Sequence, residues 1–269
     1  MEKANEIRLF VVIYDTSELL PHFLEYYSKI GVTKFNIGIA YNTQQDNDLV
    51  DKIKLYCSNY NCSFIIKKLQ KYIDNKQEIE FLLKQQDPYL NDDFIIYCDL
   101  DEFIEYPAPI LEIIDSMKKQ NIWCIKGNFI DRISQDGKLN PVLPNIDIGV
   151  QFPIGVDLTQ NILKGCCQKV ILNKGIVPLS CSGHHNTKFG YLDRWPIGSQ
   201  QEYPVHHFKW NSNLLKKILA KMTDNYSNSV YRKEQQRFID FYNKNNNISM
   251  DDLNPRFLGQ LKHFNKGQL

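Results

Sequence analysis

Asp99 and Asp101 stand one residue apart at the end of an apolar run, Phe94-Ile95-Ile96-Tyr97-Cys98, and Glu102 follows before Phe103 and Ile104. Two carboxylates at that spacing can face the same way and hold one hard cation between them, and such a cation is usually shared with substrate phosphates. The run before them is too short for a helix and lacks a polar face, so it reads as a strand buried on both sides. In an open α/β sheet the carboxyl edge of such a strand is where ligands bind. An acidic pair after a strand is also an ordinary turn or helix cap, and a bare Asp-x-Asp recurs by chance. The apolar residues on both sides of these acids fit a solvated turn poorly.

The rest of the chain supplies a frame for that strand. Ile7 to Tyr14 reads as a first buried strand, and Ser17-Glu18 followed by Leu19, Leu20, Phe23, Leu24 and Tyr27 reads as an amphipathic helix ending at Gly31. Phe35 to Ala40 and Ser63 to Lys67 are two further strands, with helices expected over about 46–59 and 76–86. Strands alternating with helices imply right-handed crossovers and a mostly parallel sheet covered on both faces. Pro109 opens a helix through Lys119, and Ile122 to Ile130 is another strand. From Asp131 to Ser199 the abundance of Gly, Pro and Asn suggests hairpins and long loops of the kind that form a substrate site. Tyr203 to Trp210 is strand-like, and helices are expected over Asn213 to Thr223 and Tyr231 to Lys244.

With 269 residues, one domain over 1–211 and a helical extension over 212–269 packed on it is the expected organisation. Lys and Arg (32) balance Asp and Glu (31), which gives no electrostatic ground for nucleic-acid binding. Seven cysteines without a C-x-x-C argue against a disulfide framework or a zinc site. No apolar run reaches membrane-spanning length and the N-terminus lacks a signal-peptide core, so a soluble, cytoplasmic protein is expected. Peripheral membrane contact through the C-terminal helices is conceivable, although they show no strongly basic apolar face. The oligomeric state is not legible.

Several stretches in this order resemble the GT-A glycosyltransferases, in particular the bacterial family 2-like branch and its family 92-type relatives. The matching residues are Leu20-Pro21-His22-Phe23-Leu24-Glu25-Tyr26-Tyr27 with Gly31-Val32, Asp99-Leu100-Asp101-Glu102-Phe103, Gly127-Asn128-Phe129-Ile130-Asp131-Arg132 with Asp136-Gly137, and His207-Phe208-Lys209-Trp210. The resemblance implies a Rossmann-like, mostly parallel sheet with helices on both faces and C-terminal helices. It also implies transfer of a sugar from a nucleotide-diphosphate donor, a UDP-sugar first, to a glycan hydroxyl. Relatives often carry Arg-Asn-Glu after the first strand and Asp-Asn after the second, where this chain has Tyr14-Asp15-Thr16 and Tyr41-Asn42. Those loops hold the nucleobase and ribose in such folds, so Asn42 is a candidate contact while the nucleotide stays open.

In that setting a cation on Asp99 and Asp101 would bridge the two phosphates, with Asp101 the direct ligand, Asp99 acting through water or on the ribose, and His207 completing the site. Imidazole among the ligands suits Mn²⁺ at least as well as Mg²⁺. Lys76 and Gln77 at a helix start, with Lys169 and Lys209, are candidates for the diphosphate or ribose, and each is equally at home in water. An inverting transfer needs a base for the acceptor hydroxyl. Asp131 is the first candidate, with Arg132 to hold it ionised, and His185 competes because its pKa is ordinarily near neutrality. Glu102 could orient a ligand or sugar hydroxyls. Trp195, Tyr191 and Tyr203 could stack on sugar faces.

Two other readings compete. Haloacid-type phosphatases also use Asp-x-Asp after a strand, but on the first strand and usually followed by Thr or Val, where this chain has Glu102 on the fourth. A catalytically inactive sugar-nucleotide or glycan-binding module is the non-enzyme alternative.

Overall fold

The structure, a computed structural model, describes residues 6–14, 16–41, 47–68, 93–177, 179, 184–185, 203–223, 229–251 and 253–262. The helix expected over 76–86, Lys76, Gln77, Asn42, Tyr191 and Trp195 lie outside these residues.

Four parallel strands form the first half of the sheet. They are β1 (Arg8–Tyr14), β2 (Lys34–Tyr41), β3 (Cys62–Lys68) and β4 (Phe94–Tyr97), in the order β3-β2-β1-β4. β1 shows why an unbroken apolar run is needed. Leu9, Val11 and Ile13 join the main core on one face, while Phe10 and Val12 pack with Ala40, Ile95 and Tyr97 on the other. Helix α1 (Leu20–Lys29) follows β1 and ends at Gly31, whose φ of 105° only glycine adopts readily. The N–H of Val32 then bonds the carbonyl of Tyr27 at 2.9 Å and that of Gly31 bonds Ser28 at 3.1 Å, closing the helix end. Helix α2 (Asn47–Cys57) leads into β3, and α3 (Ile110–Lys119) buries Ile110, Ile113, Ile114 and Met117, one stripe at helical spacing.

The second half of the sheet is antiparallel. β8 (Gln168–Lys174) pairs with β4 and with β6 (Cys124–Ile133), β7 (Ile154–Val156) pairs with β6, and the short β10 (Arg256–Phe257) pairs with β7. Among the described residues, the region expected to be mostly hairpins and loops thus contributes β7 and β8, preceded by a one-turn helix α4 (Ile148–Gln151) and separated by a π-helical turn (Thr159–Leu163). Helices α5 (Asn213–Thr223) and α6 (Ser229–Asn245) belong to a second apolar cluster in which Leu214, Ile218 and Phe238 pack with Ile133, Val156 and Trp210.

The connection that matters most is made by two short strands. β5 (Glu102–Ile104) pairs antiparallel with β9 (Tyr203–His207), and β9 runs parallel to β6, so β9 lies between them. Register sets His207 opposite both Glu102 and Asp131.

Candidate active site

β4 ends at Tyr97 and the chain turns through Asp99 to Glu102, closed by a bond from the Glu102 N–H to the Asp99 carbonyl at 3.1 Å. Glu102 is itself buried, and its carboxylate accepts the Asp99 N–H at 2.8 Å while pairing with the ammonium of Lys169. Lys169, also buried, reaches Asp99 at 3.3 Å. Burial pushes the Glu102 carboxyl up from its ordinary range, and the Lys169 charge opposes that rise. Glu102 therefore braces the turn and is not presented to a substrate. Lys169 thus bonds two carboxylates of the protein, Glu102 and Asp99.

The far side of β5 is held by α1. The Tyr27 hydroxyl donates to the Glu102 carbonyl at 2.9 Å and accepts the Ile104 N–H at 3.2 Å, and the Tyr26 hydroxyl donates to the Ile104 carbonyl at 2.8 Å. The helix motif read from the sequence thus supplies bonding groups to a strand too short to hold itself.

Asp101 and His207 meet at the open side of this frame. Nε2 of His207 is 3.9 Å from Oδ2 of Asp101, and the two side chains are 9% and 24% exposed. Nδ1 of His207 lies 3.0 Å from Oδ1 of Asp131, and Phe129 stacks on the imidazole with ring centroids 4.6 Å apart.

The base role expected for Asp131 does not survive this geometry. Asp131 is 1% exposed, and its oxygens accept from the Thr159 N–H (2.6 Å), the Thr159 hydroxyl (2.8 Å), Trp210 Nε1 (2.7 Å) and His207 Nδ1. Burial alone would raise its pKa, but these bonds, led by His207, hold it below the ordinary carboxylate value. Three of these donors meet Oδ1 and one meets Oδ2, and burial closes the carboxylate off from an acceptor. Nor does Arg132 pair with it, because neighbours on a strand face opposite ways. Arg132 bonds the carbonyls of Phe152 and Gly149 and lies 3.2 Å from Nδ1 of His206, whose Nε2 is 2.9 Å from Glu105.

No family model matches the chain, and no curated protein matches it. Similar solved structures include a 4-diphosphocytidyl-2C-methyl-D-erythritol synthase at 10% identity and TM-score 0.38, covering 64% of this chain and 76% of that one. HddC from Yersinia pseudotuberculosis follows at 11% identity and TM-score 0.32, covering 80% and 99%. A UDP-glucose pyrophosphorylase complexed with UDP-glucose stands at 7% identity and TM-score 0.32, covering 90% and 100%. Superpositions this loose define neither family nor activity. The chemistry has to come from the side chains.

Donors held by one cation at about 2.1 Å each stand about 3 to 4 Å apart, so Asp101 and His207 can close on a single ion. Among the described residues no group of three or more His, Cys, Asp or Glu side chains could hold a metal. Among the described residues the site thus offers two direct donors, and a cation here needs oxygens from a substrate or water to complete its shell.

His185 also meets Phe129, its ring edge-on with centroids 6.0 Å apart. Its Nδ1 is 2.5 Å from the Gln168 carbonyl, which can only accept, so Nδ1 carries the proton and Nε2 keeps its lone pair. Burial lowers its pKa, leaving it neutral, and Asp99, Lys169 and His207 are close enough to influence it. Lys209 extends over the ring of Trp210, 4.9 Å from its centroid, and Tyr203 is buried edge-on to Tyr106. Thr159, Trp210 and Phe129 enter the site without having been assigned roles from the sequence, although the last two lie in stretches that carried the resemblance.

Proposed function

We propose that this chain is a divalent-metal-dependent, inverting glycosyltransferase that moves a sugar from a nucleoside-diphosphate donor, a UDP-sugar first, to a hydroxyl of a glycan. The observation that carries the reading is the Asp101–His207 pair, two metal-type donors 3.9 Å apart at the mouth of a turn whose third acid and lysine are turned inward. Asp101 and His207 would hold a cation such as Mn²⁺, and that cation would supply Lewis acidity to the charge that develops on the diphosphate.

The chain's own residues do the rest. Lys169 and Glu102 fix the turn, so the donor meets carboxylates already in place. His185, neutral and with Nε2 free, takes the proton of the acceptor hydroxyl as that oxygen bonds the anomeric carbon and the nucleoside diphosphate departs with the electron pair. His185 thus replaces Asp131 as the proposed base. The test is release of nucleoside diphosphate from a panel of UDP-sugars with Mn²⁺ present or chelated. Mn²⁺-dependent turnover that Asp101→Ala abolishes, with its circular dichroism unchanged, supports the reading; equal turnover by both proteins overturns it.

A further inference from the structure

Asp131 accepts four hydrogen bonds, and only two of them come from the Thr159 turn it caps. The bond from His207 has a separate consequence. A carboxylate facing Nδ1 can only accept, so Nδ1 carries a proton and Nε2 is the nitrogen turned toward Asp101, 3.9 Å from its Oδ2.

We infer that Asp131 is a positioning residue, whose buried carboxylate fixes the Nδ1-protonated tautomer of His207 and aims Nε2 at the cation that Asp101 shares. The inference rests on the metal-dependent reading above for the presence of that cation, but not for the state of the imidazole. Phe129 fixes the ring plane by stacking, Trp210 fixes the carboxylate, and the parallel pairing of β6 with β9 sets Asp131 beside His207. Partners behind a metal-bound histidine typically change metal affinity about 10- to 100-fold when removed.

Two measurements test this. Long-range ¹H–¹⁵N correlation of the wild-type protein should show His207 protonated on Nδ1. A ring protonated on Nε2 alone would overturn the inference, and this result needs no variant to fold. Mn²⁺ alone is then titrated by electron paramagnetic resonance into wild type, Asp131→Asn and Asp115→Asn. Asp131→Asn should bind about 10- to 100-fold more weakly. Asp115→Asn, which removes an exposed carboxylate on α3, should bind as wild type does. Wild-type affinity in Asp131→Asn, or equal losses in both variants, would overturn it. A wild-type protein without Mn²⁺ affinity would instead remove the metal reading, while the nitrogen shifts still decide whether Asp131 sets the tautomer.

Discussion

The carbonyl oxygen of Asp101 accepts the backbone N–H of Phe208 at 2.7 Å, which ties the acidic turn to the strand that carries His207. Residues more than a hundred positions apart therefore form one rigid corner. The corner is braced from behind by Tyr27 and from within by Lys169.

Lys169→Met should cost about 3–5 kcal/mol of stability, because it leaves Glu102 buried without its counter-charge. The double variant Lys169→Met/Glu102→Gln should recover most of that loss. Urea denaturation of the four proteins checks it; additive losses would mean the pair is not coupled.

Gly127 of β6 stands opposite Tyr203 of β9. A Cβ there would stand 2.6 Å from the Tyr203 carbonyl oxygen and 2.8 Å from a Val205 methyl. Gly127→Ala should force the strands apart at a cost of about 1–3 kcal/mol. It should also weaken Mn²⁺ binding although no ligand is changed. Denaturation and metal titration on one preparation test both effects.

His185→Gln should lower kcat by about 10²- to 10⁴-fold. The KM for the sugar nucleotide should be unchanged, since the side chain is assigned to the acceptor proton. A raised donor KM with kcat intact would assign it to donor binding instead.

Buried histidines make stability depend on pH in a defined direction. His206 and His185 have pKa values lowered from 6.5, chiefly by burial. The unfolded chain binds their protons first as pH falls, so stability present above 6.5 is lost progressively below it. The urea midpoint should fall between neutral and mildly acidic pH, and His206→Gln should flatten that slope. An unchanged midpoint across this range would contradict the assignment.

What the sequence disclosed and what it hid divide along contact range. The runs that became β1, β2 and β4 needed only local reading, because a strand buried on both faces must be largely apolar. The spacing of Ile110, Ile113, Ile114 and Met117 likewise settled α3. β7 and β8 were hidden, the first by its three-residue length and the second by the polar residues at both ends. The role of Asp131 was out of reach for a different reason. Its partner His207 is 76 positions away, and only the β6–β9 register shows that they share a face while Arg132 and His206 share the other. The pairing of Lys169 with Asp99 was out of reach for the same reason, since 70 positions separate them.

The central claim is that Asp101 and His207 together hold a cation that also binds a nucleoside diphosphate. Crystals soaked with UDP and Mn²⁺, measured at the manganese absorption edge, test it most directly. The expected result is one anomalous peak bonded to Asp101, to Nε2 of His207 and to phosphate oxygens. A peak elsewhere, or none with nucleotide bound and both side chains bonded only to protein, would contradict it.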